Sequence, residues 1–252
     1  MSEAKRLAGR VVLVTGASSG IGEGVALAFG AAGATVITAA RRGDRLGGLT
    51  ERIGAAGGSA FPLTMDVTNE AQIRAGIESV RTRYGRLDVL VNNAGTMLSA
   101  RVADADTADW RAMVEANLIG VMAVTHAAFP LIRDAGAAGH IFNVSSISAR
   151  LANVGSPGYA ASKAGVGAFT ESLRKELAPQ GVRVTLVMPG IVETELFTHL
   201  KDAATRERFG NMIKTMTPLQ PADIANAIVF AYQQPPHVSI NELIIRPTAQ
   251  VE

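Results

Sequence analysis

The amino-acid sequence predicts an α/β fold in which a doubly wound parallel sheet is covered by helices on both faces. Short apolar, β-branched runs alternate with helical segments along the 252 residues, which is the pattern of repeated strand–helix units. Most of these runs are continuously apolar, as is typical of parallel strands that are buried on both faces. No linker, repeat or low-complexity segment interrupts the alternation, so we expect one domain over residues 1–252.

The alternation predicts seven strands and six helices. The strands are predicted at residues 11–16, 34–40, 59–67, 87–95, 139–146, 182–190 and 242–247. The helices are predicted at residues 22–32, 44–56, 70–84, 107–132, 159–178 and 222–232. A long segment, residues 191–221, separates the sixth strand from the last helix. Because ligands bind at the carboxyl ends of the strands in such sheets, we expect this segment to be a substrate lid.

Composition excludes several classes of function. The net charge is +2 and no dense run of Lys and Arg is present, so we expect no nucleic-acid binding. The absence of cysteine excludes disulfides, thiol nucleophiles and cysteine-ligated metals, and the scattered histidines show no metal-ligand spacing. The N-terminal residues lack the apolar core of a signal peptide, and the uncharged run at residues 117–132 is short for a membrane span. These features favour a cytoplasmic protein without membrane contact.

The stretch TGASSGIG, residues 15–22, joins the first strand to the first helix. Its glycines allow a sharp turn and a close approach of the backbone to a ligand, and the helix N-terminus offers free N–H groups to a pyrophosphate. A glycine-rich turn that binds nothing is the alternative. Its position directly after the first strand favours dinucleotide binding and a Rossmann-like fold.

The end of the second strand indicates which dinucleotide is preferred. An acidic residue about 20 positions beyond the glycine turn is typical of NAD binding, whereas arginine suits the 2′-phosphate of NADP. This chain has Arg41 and Arg42 there and no acid. A solvated, basic helix start is the alternative, but we expect NADP(H) because guanidinium groups match phosphate oxygens.

Tyr159 and Lys163 are four residues apart in a helical segment and therefore share one face. A free phenol has a pKa near 10, and a neighbouring cation favours the phenolate, so we expect Lys163, together with a cationic nicotinamide ring, to lower the pKa of Tyr159. A surface pair on an ordinary helix is the alternative. Ser146, 13 positions before Tyr159, and Asn117 come from segments that end at the same edge of the predicted sheet.

Taken together, TGASSGIG, the NNAG turn, Asn117, Ser146, YAASK and PGIVET resemble the short-chain dehydrogenase/reductase superfamily, in its short single-domain branch, from Arg10 onward. The segments DADTADW and NELIIRPTAQV are similar to an NADP-dependent group that includes clavulanic acid dehydrogenase and the 3-hydroxy acid or serine dehydrogenases. The resemblance implies that Tyr159 is the acid/base and that Lys163 lowers its pKa and holds the nicotinamide ribose. It also implies that Ser146 binds the substrate oxygen and that Asn117 holds a water linked to Lys163.

The resemblance implies further cofactor contacts, which are carried over by position. They are Gly16, Ser18, Ser19, Gly20, Ile21 and Gly22 at the pyrophosphate, Asp66 and Val67 at the adenine, Asn93, Ala94 and Gly95 at the adenosine ribose, and Pro189, Gly190, Val192 and Thr194 at the nicotinamide. Ser145 is the alternative to Ser146, and Ser148 is placed nearer the substrate. The family also implies a homotetramer.

The expected function is NADP(H)-dependent, reversible reduction of a ketone or aldehyde. A dehydrogenase of serine or other 3-hydroxy acids is the alternative, and it would need a cation for the substrate carboxylate, with Arg150, Lys201 and Lys214 as candidates. A nucleotide-binding regulator without catalysis is the alternative from another class. The substrate is expected to depend on the lid and on the surroundings of Met97, Ser148, Asn153 and Met188.

Overall fold

Seven parallel strands form one sheet in the computed structural model, which describes residues 6–196, 206–207, 210–211 and 216–251. The strands are β1 Val11–Thr15, β2 Thr35–Ala40, β3 Ser59–Thr64, β4 Val89–Asn92, β5 His140–Val144, β6 Arg183–Pro189 and β7 Glu242–Ile245. Their order is β3-β2-β1-β4-β5-β6-β7, and every neighbouring pair is parallel. The predicted doubly wound fold is confirmed.

Helices cover the sheet on both faces. They are α1 Gly20–Ala31, α2 Gly43–Ala55, α3 Glu70–Tyr84, α4 Thr107–Val114, α5 Gly120–Asp134, α6 Pro157–Leu177 and α7 Pro221–Gln233. One apolar cluster joins α1, α2 and α7 to the sheet, and a second joins α3, α5 and α6 to it. Successive residues of β1 alternate between the clusters, with Val12 and Val14 in the first and Val11 and Leu13 in the second. A strand buried on both faces has to be apolar throughout, which explains the continuous runs in the sequence.

Four of the strands end at least two residues earlier than predicted. The third, fourth, fifth and seventh end at Thr64, Asn92, Val144 and Ile245, although the sequence favoured extension to residues 67, 95, 146 and 247. The extra residues form turns at the carboxyl edge of the sheet. The strand order reverses between β1 and β4, and the turns that follow these two strands therefore lie at the point where doubly wound sheets bind ligands.

The helical segment Thr107–Asp134 is long and apolar enough to cross a membrane by length and composition alone. Its buried residues Val124, Leu131 and Ile132 belong to the apolar cluster against the sheet. This packing is that of a core helix. The absence of membrane contact remains a prediction.

His140, the first residue of β5, is fully buried. Its Nε2 lies 2.8 Å from Thr185 Oγ1, and its ring stacks on Phe142 with a centroid distance of 3.9 Å. Burial, assisted by the nearby Arg183, holds the pKa of His140 well below its ordinary value of 6.5. The ring is therefore neutral in the folded protein at neutral pH.

We expect the free energy of unfolding to fall as the pH is lowered below about 6.5, because the unfolded chain then takes up a proton at His140 that the folded chain excludes. The free energy of unfolding falls, and does not rise, with falling pH because the pKa of His140 is lower in the folded than in the unfolded chain. In His140→Gln this contribution disappears, so the stability difference between wild type and variant should shrink by about 2 kcal/mol between pH 7 and pH 5. Urea unfolding at several pH values measures it. His237→Gln, at an exposed histidine, should leave the profile unchanged, and a pH-independent difference for His140→Gln would contradict the assignment.

Candidate active site

The turn after β1 has a backbone that only glycine accommodates at its critical positions. Gly16 and Gly20 have φ values of +66° and +59°, in the left-handed region. A Cβ on Gly22 would lie 2.4 Å from the carbonyl oxygen of Gly16, and one on Gly16 would lie 2.8 Å from Ala94 Cα. The turn therefore folds tightly on itself and packs directly against the turn after β4.

Hydrogen bonds clamp the turns after β1 and β4 together. The hydroxyl oxygen of Thr15 accepts hydrogen bonds from the backbone N–H groups of Asn93 (3.0 Å) and Ala94 (3.1 Å). The Asn93 side chain donates to the carbonyl oxygens of Thr15 (3.1 Å) and Gly16 (3.3 Å). The Asn93 amide therefore shapes the glycine turn, and Thr15, which sequence analysis missed, is a second shaping residue. The only sequence signal for Thr15 is a hydroxyl directly before the glycines.

The N-terminus of α1 suits an anionic ligand. Its N-cap residue, Ser19, makes no side-chain hydrogen bond to the first turn of the helix. Instead, the hydroxyls of Ser18 and Ser19 accept hydrogen bonds from Arg42, at 3.0 and 2.8 Å from Nη2. The N–H groups at the start of α1 thus remain for a phosphate. Ile21, predicted here, is partly buried and packs on the apolar core.

Three arginines follow β2, and two of them share a carboxylate. Arg42 Nη1 lies 3.0 Å from Glu195 Oε2, and Arg45 Nη1 lies 2.8 and 2.9 Å from the two Glu195 oxygens. Hydrogen bonds from Arg45 and then Arg42 lower the pKa of Glu195 to about 2. Arg41 is exposed, and no side-chain partner for it occurs among the described residues. Sequence analysis missed Glu195, because it is distant in the sequence.

The turn after β3 lies beside the end of β2, because the N–H of Met65 donates to the carbonyl of Ala40 at 3.0 Å. Oδ1 of Asp66 accepts hydrogen bonds from the backbone N–H (2.9 Å) and the hydroxyl (2.8 Å) of Thr68. Val67 packs against the start of α5, where a Cβ on Gly120 would lie 2.9 Å from its carbonyl oxygen. Asp66 and Val67 therefore lie in the turn after β3, at the carboxyl edge of the sheet beside the end of β2.

Two of the predicted catalytic residues lie side by side on α6. Tyr159 and Lys163 are both buried, with exposed fractions of 6% and 5%. Lys163 Nζ lies 6.0 Å from the centre of the Tyr159 ring and donates a hydrogen bond to the carbonyl oxygen of Val144 (2.9 Å). The Ser146 side chain lies close enough to the Tyr159 phenol to interact with it. The structure thus brings Ser146, Tyr159 and Lys163 together.

The electrostatics of this pair differ from the expectation that Lys163 acidifies the phenol. Burial raises the pKa of Tyr159 to about 12, and the hydrogen bond with Ser146 opposes this shift only in part. Burial lowers the pKa of Lys163 to about 8. Desolvation disfavours the charged form of both groups, and it is the largest cause of both shifts. With the protein's own groups, Tyr159 is a protonated phenol at neutral pH, which is the form that can donate a proton.

Asn117 lies in a π-helical turn, Glu115–Ile119, between α4 and α5. Such turns insert a residue into a helix and often occur at functional sites. The buried Asn117 amide donates to the Thr96 carbonyl (2.9 Å) and the Ser162 hydroxyl (3.0 Å), and its oxygen accepts from the Thr96 N–H (2.7 Å). A Cβ on Gly95 would lie 2.8 Å from Asn117 Oδ1 and 3.5 Å from Lys163 Nζ. Asn117 and Lys163 thus flank the same glycine.

The two serines after β5 have different partners. Ser145 is buried, and its hydroxyl donates to the Lys163 carbonyl oxygen at 2.8 Å. Ser146 Oγ accepts from the Ser148 N–H at 3.1 Å and also reaches Tyr159. Ser145 therefore anchors α6, whereas Ser146 faces the phenol, as the predicted assignment requires.

The turn after β6 closes over the glycine turn. The N–H of Gly190, next to Pro189, donates to the Ile245 carbonyl (2.7 Å), and a Cβ on Gly190 would lie 2.2 Å from Gln250 Oε1. That Gln250 oxygen also accepts from the Ile191 N–H at 3.0 Å. Farther on, Thr194 Cγ2 lies 2.9 Å from the position of a Cβ on Gly20. Gln250, which sequence analysis missed, thus helps to fix this turn.

Apolar side chains form a wall beside the phenol. Met97, Met113 and Tyr159 form one buried cluster, against which Leu98, Trp110 and Leu196 pack. Met97 thus lies beside the phenol, as expected. Met188, expected near the pocket, instead belongs to a core cluster with Val121, Val166 and Leu186, because its side chain points into the helix layer.

The predicted cations for a substrate carboxylate are not available to it in the described part of the chain. Arg150 forms an ion pair with Glu242 through both carboxylate oxygens, at 2.6 Å. Lys201 and Lys214, and most of the predicted lid, lie outside the described residues.

Comparison with known proteins gives consistent matches. Residues 10–205 match the family described as short chain dehydrogenase. The chain is 38% identical over 241 residues to sulfoacetaldehyde reductase 2 of Chromohalobacter salexigens, covering 95% of each chain. It superposes on the closed form of a serine dehydrogenase complexed with NADP+ (TM-score 0.86, 33% identity, 96% of each chain). It also superposes on a 7α-hydroxysteroid dehydrogenase complexed with NADH and 7-oxo glycochenodeoxycholic acid (TM-score 0.85, 28% identity, 97% and 96% of the two chains).

The matched span covers most of the chain and includes the turns described above. The sheet order and the grouping of Ser146, Tyr159 and Lys163 agree with it. The chain therefore belongs to the short-chain dehydrogenase/reductase family, and it is an oxidoreductase that acts on alcohol or carbonyl groups.

Proposed function

We propose that this protein is an NADP(H)-dependent oxidoreductase that reversibly reduces a ketone or aldehyde to an alcohol, with Tyr159 as the acid/base. The observation that carries the proposal is the buried Tyr159 phenol, protonated at neutral pH, beside Ser146 and Lys163. A protonated phenol with a fixed hydrogen-bond partner suits proton donation to a carbonyl oxygen.

The residues of the cleft fit a dinucleotide. The turns after β1 and β4 meet too closely for side chains, the start of α1 is uncapped, and Arg42 lies beside it. We propose that these elements hold the pyrophosphate, the adenosine and the 2′-phosphate, and that the nicotinamide is held after β6 by Pro189, Gly190, Val192 and Thr194. When bound, the cofactor would supply or accept the hydride, while the protein supplies orientation and proton transfer. The NADP+ of the serine dehydrogenase supports this choice, and the NADH of the steroid dehydrogenase leaves its strictness to experiment.

The side chains of the site divide the proton chemistry between them. Ser146 orients the carbonyl oxygen, and Tyr159 donates its proton to that oxygen in the direction of reduction. Lys163, whose pKa burial lowers to about 8, exchanges protons near neutral pH and can reprotonate the phenolate. Asn117 positions Thr96 and, through Ser162, the backbone of α6. The wall formed by Met97 and Met113 limits the access of water.

A small anionic substrate is the second candidate, which includes serine and other 3-hydroxy acids. It is favoured by the relatives, because sulfoacetaldehyde carries a sulfonate and serine a carboxylate. For this chain it requires a cation, and Arg150 could serve only by leaving Glu242.

We also propose a cytoplasmic homotetramer that binds neither nucleic acid nor membrane and holds no metal. Exposed apolar side chains support assembly, and they include Ile119 and Met122 near the start of α5, Phe230 on α7 and Ile244 on β7. Light scattering that gives a particle of four chains is the expected result.

Fluorescence titration with NADPH and NADH, followed by a panel of ketones, aldehydes and 3-hydroxy acids, tests the proposed function. We expect tighter binding of NADPH and turnover of at least one carbonyl compound. Failure to bind either cofactor would overturn the proposal. Binding without turnover across a broad panel would favour the alternative of a nucleotide-binding regulator.

A further inference from the structure

Glu195 places an acid at the end of β2, where the local sequence has none. Its two oxygens accept hydrogen bonds from Arg42 and Arg45 at 2.8 to 3.0 Å. The Arg42 guanidinium group also lies at the start of α1, since it donates to Ser18 and Ser19. The carboxylate thus uses N–H donors that a 2′-phosphate in this part of the cleft would need.

The backbone around Glu195 is anchored, so its position follows from the fold. Val192 pairs with Leu219 in an isolated bridge, and the Glu193 N–H donates to the Leu219 carbonyl at 2.8 Å. Thr194 packs on Gly20. The backbone at Glu195 is therefore held beside the glycine turn, from where the side chain reaches both Arg42 and Arg45.

NADP(H) and NAD(H) would interact differently with Glu195 and the two arginines. A 2′-phosphate and the Glu195 carboxylate are both anions that seek the same guanidinium groups, so they compete and repel each other. A free ribose 2′-hydroxyl is neutral and leaves the ion pairs intact, and a carboxylate can accept its hydrogen bond.

We propose that Glu195 is a specificity-determining residue that competes with the 2′-phosphate for Arg42 and Arg45 and so limits the preference for NADP(H) over NAD(H). This inference rests on the proposed cofactor site. The inference goes beyond that site, because Arg42 and Arg45 taken alone predict a stricter preference for NADP(H) over NAD(H).

The test compares Glu195→Gln with Glu193→Gln. Glu193 lies on the same exposed turn, and its side chain accepts from Gln220 at 2.7 Å and contacts neither arginine. Both substitutions remove one negative charge, so long-range effects on an anionic ligand are matched. The dissociation constants of NADPH, NADH and adenosine 2′,5′-bisphosphate are measured for wild type and both variants. The bisphosphate carries the 2′-phosphate without the nicotinamide.

We expect Glu195→Gln to bind NADPH and the bisphosphate about fivefold to tenfold more tightly than Glu193→Gln does, since exposed ion pairs are individually weak. NADH binding should stay the same or weaken slightly. An unchanged ratio of NADPH to NADH affinity, or a weaker NADPH affinity, would overturn the role of Glu195. Failure of the wild type to bind either cofactor would instead overturn the proposed function, so the two failures are distinguishable.

Discussion

Tyr159→Phe should lower the turnover number by about 100-fold to 10,000-fold, which is the usual range for the loss of a general acid or base. The substitution removes one oxygen and leaves the ring in its cluster with Met97 and Met113. Packing and cofactor binding should therefore persist, and the dissociation constant of NADPH should change by no more than about twofold. Steady-state kinetics on the best carbonyl substrate, together with cofactor fluorescence, measures both quantities.

Tyr232→Phe is the matched control for this experiment. Tyr232 is a second buried tyrosine, whose pKa burial also raises to about 12, but it lies on α7 in the core. Its loss should leave turnover unchanged. If Tyr159→Phe retains more than about a tenth of the wild-type rate, the proton comes from another group, and the role of Tyr159 has to be abandoned.

Arg42→Asp should weaken NADPH binding by about 100-fold and change NADH binding by no more than about threefold. The substitution removes the donors that reach Ser18, Ser19 and Glu195 and places a negative charge beside the proposed 2′-phosphate site. Arg41→Asp should act in the same direction but less strongly, since the Arg41 side chain contacts neither serine in the described structure. Fluorescence titration with both cofactors measures the change.

Arg74→Asp gives the same change of charge at a distance. Arg74 is exposed on α3 and pairs with Glu70 within the same helix, so both cofactors should bind as in the wild type. Equal weakening of NADPH and NADH by Arg42→Asp would show that the substitution disturbs the glycine turn in general. The assignment of Arg42 to the 2′-phosphate would then be wrong.

The fold could be predicted from the sequence because five of its seven strands are buried on both faces. Val11 to Val14 face alternate helix layers, so the run had to be apolar at every position. The π-helical turn at Glu115–Ile119 could not be predicted, because a single inserted residue hardly disturbs the 3.6-residue periodicity of a long apolar helix. The ends of the strands were also placed too late, because they depend on pairing between strands that the sequence does not show.

The site was predicted where its residues are held by local motifs and missed where it depends on distant contacts. Tyr159 and Lys163 share a helix, whereas Glu195 meets Arg42 across 153 positions and Gln250 meets Ile191 across 59. The pKa of Tyr159 was expected to fall because the sequence shows the neighbouring charge but not the burial. Desolvation is a property of the packed structure, and here it determines the direction of the shift.

The hydrogen bonds of Thr15 to the turn after β4 also make the shape of the glycine turn dependent on the order of folding. β1 and β4 are adjacent in the sheet, but the contact between Thr15 and Ala94 spans 79 positions. Contacts of this length form late, because the intervening chain has to be ordered before they are gained. A folding intermediate in which only β1, β2 and β3 have paired would contain the complete glycine motif. It would lack the hydrogen bonds to the turn after β4 that shape this motif. Nucleotide affinity should therefore arise only after β4 has joined the sheet.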